Sequence, residues 1–181
     1  MPNIKKIFLF SLALLLVVVA TTSAQAKSYK SVLKHNTQKK NVFVWDNMEV
    51  RLIWNATYFS PDYKEALTKR LEEMGNTNWW AMHELEKGDV FFVGLYQGSA
   101  EWAEIGKDDG ALKFEVIRPD GEVIQAKRIE NIPITQTERS LFPYLDKWSK
   151  AYLVTFPKNS VETTTQLKLL SPSAQSVLKF K

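Results

Sequence analysis

The residues with which this chain could do chemistry are few, and their spacing fits none of the usual catalytic arrangements. Histidine occurs only at His35 and His83. His83 is followed by Glu84-Leu85-Glu86-Lys87, so the HExxH zinc signature is absent, and a zinc ion would have to be held by one histidine and carboxylates. There is no GxSxG nucleophile elbow, and His83 is the only base in the body of the chain that could serve a serine. Cysteine is absent, which excludes disulfides, thiolate metal ligands and a cysteine nucleophile. The seven glycines form no phosphate-cradling loop. The carboxylate pairs Glu72-Glu73, Glu84/Glu86 and Asp108-Asp109 read as solvated faces, because neighbours on a helix do not face each other. Asp108-Asp109-Gly110 lacks the alternating acids and closing glutamate of a calcium loop and reads as a polar turn. The expectation is therefore no catalytic set, no metal, no cofactor and no nucleic-acid partner.

Aromatic residues are the one unusual resource: Trp45, Trp54, Trp79, Trp80, Trp102 and Trp148, with six tyrosines and ten phenylalanines. Such rings stack on sugars, anchor interfaces or fill cores. Trp54 and Trp148 lie in apolar patterns and are expected in the core. Trp79 and Trp80 are consecutive, so both cannot face inward equally, and Trp102 sits in a polar stretch. Trp102 and one of the Trp79/Trp80 pair are the candidate binding residues.

The segment that must support any such site is 89–97, DVFFVGLYQ. In a strand, Val90, Phe92 and Tyr96 point one way and Phe91, Val93 and Leu95 the other, so both faces are apolar and both must be covered. Gly94 marks a close approach by another backbone or a ring. Upstream, alternating Val42, Val44, Val50, Leu52, Trp54, Ala56 and Tyr58 predict one long half-buried strand, or two joined by a bend at Asp46-Asn47. Ser60-Pro61-Asp62 then starts a helix. Its stripe of Tyr63, Ala66, Leu67, Leu71 and Met74 closes at Gly75. A second helical stretch over 77–87, capped by threonine or asparagine, ends at Gly88.

Beyond the loop 98–110, the alternation of Leu112, Phe114 and Val116, the turn Pro119-Asp120-Gly121 and the return 123–129 spell a hairpin. A crossover over 135–148 is capped at Thr135 or Thr137 with Glu138. A strand over 150–156 and a closing hairpin around Ser171-Pro172-Ser173 complete the chain. The fold class expected is mainly β: an antiparallel sandwich of seven or eight strands with a two-helix insertion at 60–88. One of the two sheets and the insertion would cover opposite sides of 89–97.

The N-terminal residues 1–26 read as a cleaved signal peptide. Lys5 and Lys6 precede an apolar run over 7–20, and Ala24-Gln25-Ala26 is a small-x-small cleavage site. The run is shorter than the roughly 20 residues of a membrane span. The formal charge of +4 is unevenly spread. Lys27, Lys30, Lys34, Lys39 and Lys40 lie in residues 27–40 without an acid, leaving the body slightly acidic. This stretch is expected to be a flexible basic arm, a solvated linker in preference to a tether for an anionic surface. Residues 41–181 would be a single domain, long enough to fold on its core.

The order YFSPDYKEAL, then FFVGLY, a loop tryptophan, the RPDGE hairpin and FPYLDKWSKAYLVTFP resembles a group of uncharacterised exported bacterial proteins with an immunoglobulin-like sandwich. The resemblance covers most of residues 48–157 and implies architecture without an activity. Together these readings point to an exported, periplasmic or extracellular, non-catalytic binding or assembly module that meets an envelope protein or polymer through a sheet edge or an aromatic patch. The alternative is a carbohydrate-binding or carbohydrate-active domain using exposed tryptophans.

Overall fold

A computed structural model describes residues 28–44, 49–97, 112–171 and 174–180. These contain nine strands in two antiparallel sheets, with helices laid on one of them. The five-stranded sheet has the order β1 (Thr37–Val44), β2 (Glu49–Tyr58), β3 (Asp89–Gln97), β7 (Lys150–Phe156), β6 (Arg128–Ile132). The four-stranded sheet runs β5 (Val123–Gln125), β4 (Lys113–Ile117), β8 (Gln166–Ser171), β9 (Ala174–Lys179).

β3 is central, paired with β2 through Trp54↔Leu95 and with β7 through Phe92↔Leu153. Its two faces separate as the alternation demands. Phe91, Val93 and Leu95 join Trp54, Tyr152 and Val154 against Phe114, Val116, Leu167 and Leu169 of the second sheet. Val90 and Phe92 instead join Phe59, Tyr63, Leu67, Trp79 and Phe142 under the helices. At Gly94 an added Cβ would come within 2.8 Å of Leu145 and 2.9 Å of the Tyr144 ring, which is the close approach expected there.

The helical cover is drawn from three places in the chain rather than from one insertion. Between β2 and β3 lie α2 (Pro61–Glu73) and a 3-10 helix (Trp80–Glu86). In α2, the Ser60 hydroxyl accepts from the Tyr63 N–H, Tyr63, Leu67 and Leu71 are buried, and Gly75 takes the left-handed conformation that ends it. The 3-10 helix has no threonine or asparagine cap: Trp79 holds that position and its side chain makes no capping bond. The crossover contributes α3 (Gln136–Leu141), opened by a full capping box between Thr135 and Glu138.

The third contribution corrects the flexible arm. Residues 29–36 form α1 (Tyr29–Asn36), and 37–40 open β1. Tyr29, Val32, Leu33 and Asn36 have the i, i+3, i+4, i+7 spacing of one helix face. Val32, Leu33 and Asn36 are buried, and the Ser28 hydroxyl caps the helix. Five lysines mask that short stripe in any average over the segment.

Of the two expectations for the upstream alternation, the structure has the two strands, while other boundaries differ. β1 and β2 form an antiparallel pair, and Asp46-Asn47 lie outside the described residues. The return of the hairpin is two strands rather than one. The Ala126 N–H bonds Phe114 O at 2.9 Å in one sheet, and the next N–H, of Lys127, bonds Thr155 O at 2.8 Å in the other. The chain changes sheets at that step, which raises the strand count above the expected seven or eight. Trp148, expected in the core, is 67% exposed. It sits in a turn held by Asp146, whose carboxylate accepts from the Trp148 N–H at 2.8 Å, so local hydrogen bonding decides its place and the apolar neighbours do not. Among the described residues no helix is long and apolar enough to cross a membrane.

Candidate functional site

The two consecutive tryptophans meet on a buried carboxylate. Glu138 is 2% exposed, and its Oε1 accepts from Trp79 Nε1 at 3.0 Å and Trp80 Nε1 at 3.4 Å. Its Oε2 accepts from the Thr135 backbone N–H at 3.0 Å and from the Thr135 hydroxyl. Burial pushes the Glu138 pKa up, and the bonds from Thr135 and Trp79 outweigh it, so the carboxyl titrates below its ordinary value. Trp79, 3% exposed, is wedged between Phe59 and Phe142 and is a core residue, not a stacking platform. Trp80 is 38% exposed and is the member of the pair that reaches the surface. Trp102 lies outside the described residues, as does Trp45. Trp54 is core, its Nε1 donating to Ser176 Oγ at 2.9 Å. The capping sequence Thr135-x-x-Glu138 was visible in the chain, but the use of the second carboxylate oxygen by two indoles depends on a contact 59 residues distant.

A second polar system runs beneath the helices. Tyr29 OH bonds Tyr63 OH at 2.9 Å and donates to Leu141 O at 2.8 Å. Tyr144 OH bonds the Thr57 hydroxyl at 2.9 Å, and Thr57 bonds Thr37 at 2.8 Å. Burial pushes the Tyr29 phenol up to about 12, with the Tyr63 bond and the charge of Arg70 opposing it. Burial raises Tyr63 and Tyr144 as well. No buried side-chain polar atom among the described residues lacks a partner, so these groups are matched to one another.

Directly outside this system, α1, α2 and the end of α3 enclose a cleft of about 390 Å³. Its apolar wall is Leu33, Ala66 and Pro143, with the Tyr29 ring. Lys30, Lys69, Arg70 and Glu73 line it as well, three cations against one acid. Arg70 Nη1 meets Glu73 Oε2 at 3.1 Å, whereas neither the Lys30 nor the Lys69 ammonium has a partner among the described residues. Some cations elsewhere are matched: Glu84 Oε1 takes Lys87 at 2.6 Å and Arg128 at 3.1 Å, Arg118 holds Glu122 at 2.6 Å, and Lys168 meets Glu115 at 3.4 Å.

Sequence reasoning flagged Lys30 as part of the arm and missed Lys69 and Arg70, whose charges on a helix surface look like ordinary solvated positions. The other arm lysines do not gather there. Lys34 is on the exposed side of α1, and Lys39 and Lys40, consecutive in β1, take opposite faces. Lys27 is outside the described residues.

A further cleft of about 400 Å³ holds His35, Tyr58, Asp62 and Glu162 at its rim. Two of its lining residues, Tyr58 and Val161, are tied by Asp89, which accepts from Tyr58 OH at 3.3 Å and from the Ser160 and Val161 N–H groups at 2.7 and 3.0 Å. Among the described residues no group of three or more histidine or acidic side chains is arranged to hold a metal ion. No family model matches the chain, and neither a curated protein nor a solved structure matches it.

Proposed function

We propose that this chain is an exported, non-catalytic binding or assembly module of the bacterial envelope. In this reading it is an immunoglobulin-like sandwich, cleaved from its leader near Ala26, whose helical side carries the binding surface. The observation that supports it best is the cleft of α1, α2 and α3. It is open, rimmed by Lys30 and Lys69, whose ammonium groups have no partner among the described residues, and mounted on a sheet whose other face is a packed core. Charges left unmatched on a rigid support favour recognition of a partner of opposite charge.

The test is a pull-down from envelope extract with the mature protein and with the double variant Lys69→Glu/Arg70→Glu. The expected result is a stoichiometric partner held by the wild type and lost by the variant, with circular dichroism unchanged. Hydrolysis of a cell-wall substrate by the wild type, or equal retention by both proteins, would overturn the proposal. A carbohydrate-binding domain is the alternative. Oligosaccharide binding that is abolished by Trp80→Ala and untouched by the cleft variant would put it in first place.

A further inference from the structure

We infer that the cleft between α1, α2 and α3 is a site for a phosphate monoester carried on a short apolar stem, an inference that rests on the cleft being the binding surface. Charge comes first. Three cations against Glu73 leave two positive charges in the lining, and a phosphate monoester carries about −1.5 to −2 at neutral pH. A carboxylate would satisfy only half of that.

Geometry agrees with the charge. Lys30 and Lys69 come from different helices, and as ammonium groups on long stems they close on an anion from two sides. Arg70, already oriented by Glu73, presents its remaining guanidinium donors in a fixed fork suited to phosphate oxygens. Ser28 and Tyr29 bring the N-terminal end of α1 to the same lining, adding the positive end of the helix dipole.

The stem follows from the apolar part of the lining. Leu33, Ala66 and Pro143 with the Tyr29 ring form an apolar surface beside the cations, which a free inorganic anion would leave wet. A volume of about 390 Å³ lies at the small end of ordinary ligand sites. It suits a phosphoryl head and a stem of a few carbons. The same chemistry is found in a soluble alkyl phosphate and in the head of a phosphatidic acid.

The experiment is calorimetric titration of the full chain with hexyl phosphate, inorganic phosphate and hexanol, together with flotation on vesicles with and without phosphatidic acid. Hexyl phosphate is expected to bind one to one and about tenfold tighter than either fragment, the worth of one charge-assisted contact added to apolar burial. Lys30→Gln/Lys69→Gln should weaken it by about tenfold or more, while Lys158→Gln, an exposed lysine on the turn after β7, leaves it unchanged. Flotation confined to phosphatidic acid vesicles and competed by hexyl phosphate would assign the head to a lipid. Binding of hexyl phosphate without flotation would assign it to a soluble compound.

Equal weak affinity for all three small probes, or full affinity in the double lysine variant, overturns the inference. If phosphate fails while Lys69→Glu/Arg70→Glu still loses its envelope partner, only the ligand class is wrong. If that variant keeps its partner too, the cleft is not the binding surface.

Discussion

Phe91 and Phe92 are neighbours in β3 and neither has exposed surface, yet the layers over them differ in kind. Above Phe91 lies the second sheet, and the ring meets Phe156 and Phe180 edge-on at 5.7 and 5.2 Å in a core that is nearly all hydrocarbon. Above Phe92 the Phe142 ring stacks at 3.8 Å, and around it run the hydroxyls of Tyr63, Tyr144 and Thr57 and the carboxylate of Glu138. The sandwich side holds by packing. The helical side holds by packing plus a set of buried polar matches, each needing its partner in place, and it carries the cleft lined by Lys30 and Lys69.

The contrast is broken most directly by removing one ring from each side. Phe91→Ala and Phe92→Ala should each cost about 3–5 kcal/mol in chemical denaturation, through lost transfer energy and a cavity. If the two-sided cover is wrong, one of them will cost less than about 1 kcal/mol, far below the cavity range.

A sharper probe touches only the polar side. Glu138→Ala leaves the buried Trp79 N–H without an acceptor and removes the capping box, a loss of about 1–3 kcal/mol. Glu138→Gln separates charge from shape. The folded carboxyl titrates below its ordinary value, so its contribution is present above the usual carboxylate range and fades as pH falls through it. The wild type should therefore lose more stability than Glu138→Gln on going from about pH 6 to 3. Parallel acid curves for the two proteins would remove Glu138 from the account.

Gly94→Ala places a methyl within 2.8–2.9 Å of Leu145 and Tyr144, and overpacking of that degree costs about 1–3 kcal/mol. The nearer-ultraviolet tyrosine signal should change with it, because Tyr144 has to move. An unchanged melting curve would mean that the crossover is free to lift.

At high pH the helical side, with three phenols raised by burial against Tyr58 and Tyr152 on the sandwich side, should give way first. Tyr29, Tyr63 and Tyr144 have folded pKa values raised by burial, so the neutral phenols stabilise the fold below about pH 10 and the contribution is lost as pH climbs past that value. Hydrogen exchange followed from pH 8 to 11 should report loss of protection in the helices before the β4–β8 pair. Simultaneous loss would make the two layers one cooperative unit. The smallest effect belongs to Trp148→Ala, expected within about 0.5 kcal/mol of wild type because the ring is on the surface.

How much of this was legible beforehand depended on how local the deciding interaction is. The centrality of 89–97 could be read because two-sided apolarity admits no other position in a sheet. The start of α2 at Ser60-Pro61 and the capping box at Thr135 were legible for the same reason, each being settled within four residues. α1 was hidden because its stripe is one face of an eight-residue helix set among lysines. Trp148 was misplaced because its surroundings are apolar in sequence while its own N–H is taken by Asp146. The cleft could not be read at all: Lys30 and Lys69 come from separate helices, and only the packing of α1 on α2 puts them side by side.

One contact has a meaning beyond stability. The first strand of the fold lies against the last: Lys40 Nζ donates to Val177 O at 3.4 Å across 137 residues, and Trp54 finds its indole partner in Ser176, 122 residues on. A chain made from its N-terminus cannot close the sandwich until its final strand has left the ribosome. At roughly 5–20 residues per second, that is several seconds in which the apolar faces of β2 and β3 lack their cover. Loop closure over such separations is slow even after release. The two sheets are therefore joined late, and truncation of β9 should leave Trp54 without its Ser176 partner and the face of β2 partly uncovered.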